Sequence, residues 1–164
     1  MHAGPVIVGF DGTPAAVAAV EEAGALLASR HALVVVVWEA GRNFELATLP
    51  DRGLEGPPAA TIDIRAAFEA EEAAFEAAQR LAEHGAVLAR EAGLQADGLA
   101  VADDATVPDT LIRLAREHDA QAVAVGLHLH HGLSRLVHGS TLDGLLRGAP
   151  CPVLVCGAAQ PDPG

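Results

Sequence analysis

The sequence predicts an α/β domain built on a single open, five-stranded parallel sheet with helices on both faces. Short apolar runs rich in valine (Pro5 to Phe10, Ala32 to Trp38, Val123 to Val125, Pro152 to Cys156) alternate with longer stretches in which apolar residues recur at helical spacing. Unbroken runs of this kind suit strands covered on both faces, as in a parallel sheet. One run ends at Gly126, and a second glycine with hydroxyls behind it, Gly139-Ser140-Thr141, opens a short helical pattern in which Leu142, Leu145 and Leu146 share a face. A strand end is thereby brought near a helix start. With 164 residues, 51% of them hydrophobic, the chain is long enough for one domain with a true core, expected over residues 1–156.

The first strand, Pro5 to Phe10, ends at Asp11-Gly12-Thr13-Pro14, where Thr13 is a good N-cap and Pro14 fits the first helical position. Val17, Val20, Gly24 and Leu27 share one face of the helix that follows, expected to reach about Arg30. Asp11 at the strand end has two readings: a carboxylate that accepts hydrogen bonds from a ligand, or a turn residue bonding its own backbone. Ala32 to Trp38 is the second strand, and Trp38 reads as core rather than as a base-stacking platform. Gly41 to Thr61 carries Pro50, Gly53, Gly56, Pro57 and Pro58 without sustained periodicity. A stretch of that kind is a lid, a binding loop or a disordered insert.

From Ile62 to Ala92 the pattern is strongly helical, with Ile64, Phe68, Phe75, Ala78, Leu81 and Leu88 on one face and Glu69, Glu72, Glu76 and Glu83 elsewhere. Both phenylalanines are expected in the core, the glutamates in solvent, and Gly93 at the C′ position. Gly98 to Ala102 is the third strand. The carboxylates of Asp103 and Asp104 diverge on extended backbone and lack a third ligand, which makes them loop residues rather than a metal site. Thr106-Val107-Pro108-Asp109 is a capping-box-like start for a helix bearing Leu111, Leu114, Ala115 and His118. Val123 to Val125 and Pro152 to Cys156 are the fourth and fifth strands, and the tail 157–164, with Pro161 and Pro163, is expected to fray.

Charge and composition exclude several functions. A formal charge of −12 opposes nucleic-acid binding, which needs a basic surface. The ten basic residues are all arginine, so a P-loop lysine, a Schiff-base lysine and a lysine-dependent kinase are excluded together. Cys151 and Cys156 lack metal-ligand spacing and read as small buried residues in a reducing cytoplasm. Neither a membrane-spanning helix nor a signal peptide is evident, and the expected location is cytoplasmic. His128, His130, His131 and His138 cluster after the fourth strand, but without a carboxylate or cysteine in ligand spacing they read as loop histidines touching solvent or phosphate. Ser140 lies in Gly-Ser-Thr, not in the elbow of a hydrolase.

The stretch from Gly126 to Ser140 resembles the signature of the universal stress protein family, whose nucleotide-binding members carry G-x2-G-x9-G-[ST]. Gly126, Gly139 and Ser140 match, and Leu129 stands where the second glycine belongs. Val6 to Thr13 resembles the family's first strand and acidic turn, and Ala149 to Val155 its last strand, so the resemblance covers nearly the whole chain. It implies the strand order 3-2-1-4-5 of the adenine nucleotide alpha-hydrolase-like fold, with residues 41–61 as the family's variable loop. It further implies binding of ATP or a related adenine nucleotide, as ligand and without a metal, in the crevice between strands one and four. There Asp11 meets ribose or adenine, the backbone of Val37 holds adenine, and Gly126, Gly139, Ser140 and Thr141 hold phosphates. The implied role is regulatory rather than enzymatic, with at most very weak ATP hydrolysis. Two alternatives stay open: Gly139-Ser140 as a plain helix cap, and a chain that has lost nucleotide binding through Leu129 and acts as a homodimeric scaffold. Pairing of two copies through the edge strand Pro152 to Cys156 is expected in either case.

Overall fold

A computed structural model describes residues 4–41, 64–103, 105–127 and 139–157, with the backbone alone at Gly139 and Ser140. Most of the 41–61 loop, Asp104, His128, Leu129, His130, His131, His138 and the tail beyond Gly157 lie outside the described residues. In chain order the elements are β1 (Val6–Gly9), α1 (Pro14–Leu27), β2 (His31–Trp38), α2 (Ile64–Glu91), β3 (Gln95–Ala102), α3 (Val107–Glu117), β4 (Ala122–Leu127), α4 (Gly139–Gly148) and β5 (Val153–Gly157). The strands form one sheet in the order β3-β2-β1-β4-β5, and every neighbouring pair is parallel.

Alternate side chains of the central strands enter two cores, because successive residues of a strand point to opposite faces. Val6, Val8, Val34 and Val36 pack with Val20 of α1 and Ala82, Ala86 and Ala89 of α2. Ile7, Val35, Val123 and Val125 pack with Leu111 and Leu114 of α3 and Leu145 of α4 on the other face. Val6, Ile7 and Val8 are completely buried, each worth roughly 1.5 to 3 kcal/mol, so β1 is the best-anchored platform for whatever follows it in the chain.

The caps follow the sequence. The Thr13 hydroxyl accepts from the Ala16 N–H at 3.3 Å with Pro14 in the first turn, and the Thr106 hydroxyl accepts from the Asp109 N–H at 3.3 Å. Gly93 takes a φ of 99° after α2.

Other expectations are corrected. α1 stops at Leu27, short of Arg30, because the chain leaves the helix at Ala28 and Ser29 turns left-handed with a φ of 65°. β3 starts at Gln95, earlier than Gly98; exposed Gln95 and Asp97 break the apolar run there. Phe68 and Phe75, expected in the core, are 62% and 44% exposed, and Ile64 on the same face is 61% exposed. The reason is length. A helix of 28 residues runs about 42 Å, well beyond the roughly 26 Å of an eight-residue strand, so its first turns overhang the sheet. Burial in α2 falls instead on small residues, Ala67 in the first turn and then the stripe of Ala78, Ala82, Gly85, Ala86 and Ala89. Phe75 meets Trp38, with ring centroids 5.8 Å apart, and Trp38 itself is half-buried against the core. On α4, Leu145 is buried while Leu146 is 62% exposed, so the apolar stripe is narrower than the three leucines suggest.

Candidate functional site

The winding of the sheet reverses between β1 and β4. β1 leads through α1 to β2 and then through α2 to β3 on one face, whereas α3 and α4 carry the chain through β4 to β5 on the other. Loops leaving β1 and β4 therefore diverge, and a cleft of about 500 Å3 opens between their carboxyl ends. Its walls are apolar: Val35 and Val37 of β2, Val107 and Leu111 of α3, Val125 and Leu127 of β4, Leu142 of α4. Asp11 and Thr13 stand on one lip, Gly126 and Thr141 on the other.

Asp11 is exposed, and its Oδ1 accepts from the Thr13 backbone N–H at 3.0 Å and from the Thr13 hydroxyl at 2.5 Å. The Thr13 oxygen in turn caps α1 through Ala16. The turn reading of Asp11 is thus observed, and the same residue borders the cleft.

Gly126 has a packing reason to be glycine that sequence reasoning missed. A Cβ there would lie 2.3 Å from the carbonyl carbon and oxygen of Ala15 and 2.7 Å from the nitrogen of Ala16. No real side chain tolerates that approach, so this glycine lets β4 lie against the first turn of α1. Its identity therefore follows from packing whether or not a phosphate ever reaches it.

Of the residues singled out in the sequence, the structure brings Asp11, Val37, Gly126 and Thr141 to one cleft. Gly139 and Ser140 form the start of α4, whose next residue is Thr141. Val35 was missed in the sequence, where its position two residues from Val37 on the same strand face is the signal that points to it, whereas the apolar walls from α3 and β4 carry no sequence signal of their own. Among the described residues, Asp11 is the one charged side chain in the lining. The beginnings of α1 and α4 lie beside the cleft and direct partial positive charge there. The arrangement can hold an apolar group within walls that include Val37 and Leu111. It offers a carboxylate on one side and a hydroxyl with a helix start on the other.

The universal stress protein family matches residues 3–157. The chain belongs to this family. No curated protein matches it. Solved structures share the fold over most of both chains, among them three with a bound nucleotide. The universal stress protein of Archaeoglobus fulgidus in complex with dAMP is 20% identical, covering 95% of this chain and 99% of its own, with a TM-score of 0.58. A universal stress protein in complex with cAMP is 23% identical, covering 97% of this chain and 100% of its own, with a TM-score of 0.60. A family protein of Arabidopsis thaliana with AMP bound is 15% identical, covering 98% and 97%, with a TM-score of 0.60.

In this family member, burial pushes the thiols of Cys151 and Cys156 up from 9.0, with the Glu22 carboxylate adding to the effect at Cys156. Both are therefore protonated at neutral pH and poor nucleophiles. Among the described residues no group of three or more His, Cys, Asp or Glu side chains gathers to hold a metal, and no helix is long and apolar enough to cross a membrane.

Proposed function

We propose that the crevice binds ATP or a related adenine nucleotide and that the protein acts through its bound state, in a regulatory or signalling role in a cytoplasmic stress response rather than as a catalyst. The observation that carries this reading is the convergence of Asp11, Val37, Gly126 and Thr141 on one cleft at the reversal of winding, where open α/β sheets take their ligands. Adenine lies against Val35 and Val37, with the Val37 backbone at its edge. Asp11 accepts a hydrogen bond from a ribose hydroxyl or the adenine amine. Phosphates lie at the start of α4, near the backbone of Gly126 and among Gly139, Ser140 and Thr141, where amides and the helix terminus favour anions. The dAMP, cAMP and AMP bound by relatives of the same fold support the ligand class. Mass spectrometry of the gently purified protein tests the reading. A co-purifying adenine nucleotide supports it, and an apo mass that persists after incubation with ATP and AMP contradicts it.

A second reading is favoured by the edge of the sheet: a homodimeric scaffold of the same family that pairs through residues 152–156. β5 is an edge strand and Val155 is 37% exposed on it, which leaves an unprotected backbone edge beside an apolar side chain for a second copy. Leu129, in the place of a motif glycine, favours a scaffold without nucleotide. Nucleotide in the native mass separates the two readings, since both predict a dimer.

A further inference from the structure

The two edges of the sheet are not alike. In a parallel ladder the N–H and C=O of one residue point to the same side, and successive residues alternate sides. Gln95 N–H donates to the Arg30 carbonyl and Asp103 N–H to the Trp38 carbonyl, both at 2.9 Å. Odd-numbered residues of β3 therefore face β2, and Ala96, Gly98, Ala100 and Ala102 turn their backbone groups outward, where a sixth strand would pair.

Side chains of α2 already occupy three of those groups. The Gln79 amide donates from Nε2 to the Gly98 carbonyl at 3.3 Å and accepts at Oε1 from the Ala100 N–H at 3.2 Å. One N–H to residue i−1 and one C=O to residue i+1 is the pair of bonds that a single residue of a parallel neighbour makes, so the Gln79 amide stands in for one residue of a missing strand. Arg90 Nη1 donates to the outward Ala96 carbonyl at 2.6 Å, while its other nitrogen is held by Glu83. The helix comes close enough for this because Gly98 has no side chain; a Cβ there would lie 2.5 Å from the Ala82 carbonyl carbon. At the opposite edge Val123 N–H donates to Pro152 O, so Val153, Val155 and Gly157 turn outward. Among the described residues no side chain bonds their backbone.

We propose that Gln79 and Arg90 close the β3 edge to strand addition by a second copy of this chain, which confines pairing of copies to the β5 edge. The sealing of β3 is independent of any ligand in the crevice, and only the confinement to β5 rests on the homodimer reading. Polar edge groups left open are templates for further strands, and α2 interrupts that template by bonding three of them in the middle of the strand.

Two measurements test this. Amide hydrogen exchange reads the Ala100 N–H directly. In the wild type it is protected although it faces outward, and in Gln79→Ala it exchanges at least about fivefold faster, the factor of one net hydrogen bond. Equal exchange in the two proteins overturns the proposal. Sedimentation velocity then compares Val155→Pro with Val155→Pro/Gln79→Leu/Arg90→Ala across the micromolar range. The expected result is a concentration-dependent larger species in the triple variant alone. A triple variant with native circular dichroism that sediments as its parent does overturns the proposal, and if it does not fold the exchange of Ala100 decides. Should wild type and Val155→Pro sediment alike as monomers, the homodimer reading fails while the comparison at β3 stands.

Discussion

Replacing Gly126 with alanine separates two reasons for a glycine at that position. If the residue is there only to let a phosphate approach, the variant loses ligand affinity and keeps its stability. The structure says otherwise. The new Cβ meets backbone atoms of Ala15 at 2.3 Å and of Ala16 at 2.7 Å, and backbone in the first turn of a helix cannot swing aside as a side chain does. Overpacking costs about 1 to 3 kcal/mol, and the rigidity of the obstacle puts this site at the upper end. For a domain of this size, about 3 kcal/mol corresponds to a fall in Tm of roughly 6 to 12 °C. Gly157→Ala is the control, since a Cβ there meets nothing within 4 Å. Thermal and urea unfolding of both variants beside the wild type form the assay. An unchanged midpoint for Gly126→Ala refutes the packing argument. If the cost is paid by moving α1, the Asp11 to Thr13 turn moves as well and ligand affinity falls with stability.

Four other outcomes follow from the same chain. Asp11→Ala should weaken adenine nucleotide binding by about 1.5 to 3 kcal/mol and, through the lost turn bonds to Thr13, lower stability by about 1 kcal/mol; calorimetry showing full affinity assigns Asp11 to the turn alone. If the loop after β4 keeps the family's path, Leu129→Gly should raise ATP affinity about tenfold, the factor expected from the strain of a leucine where the family has glycine, and no binding in either form ends the nucleotide reading. Val155→Pro should abolish dimerisation and leave the fold intact, because the Val155 N–H points away from β4 and its loss breaks no internal ladder bond; a dimer that survives in sedimentation contradicts pairing through β5. Stability should fall as pH rises above 9.0, because the raised thiols of Cys151 and Cys156 keep their protons in the folded state after the unfolded chain has lost them. The chain has no lysine and no tyrosine, so Cys151→Ala/Cys156→Ala should flatten that slope, and an unchanged slope contradicts the assignment.

Strand order, caps and the position of the crevice were legible because each rests on a local signal or on the family pattern. Thr13-Pro14 announces α1, Thr106 announces α3, and valine runs announce strands buried on both faces. What escaped depends on distances between elements. Nothing in the spacing of Ile64, Phe68 and Phe75 says that α2 overhangs the sheet, since helical periodicity gives a face but not what lies opposite. The alanines that do contact β2 and β3 are too weakly apolar to stand out in the sequence. Gly126 drew attention through the family pattern, whereas its contact with Ala15 shows only in three dimensions. Gln79 gave no signal at all, because a glutamine half-way along a helix looks like any polar surface residue until its amide is seen on the β3 edge.

Titration calorimetry of the purified protein with ATP, AMP and GTP tests the central claim most directly. Binding in the crevice predicts saturable binding of one adenine nucleotide per chain, weakened in Asp11→Ala and absent for GTP. No heat with either adenine nucleotide, from protein that unfolds cooperatively and is free of bound nucleotide by mass, would contradict the account.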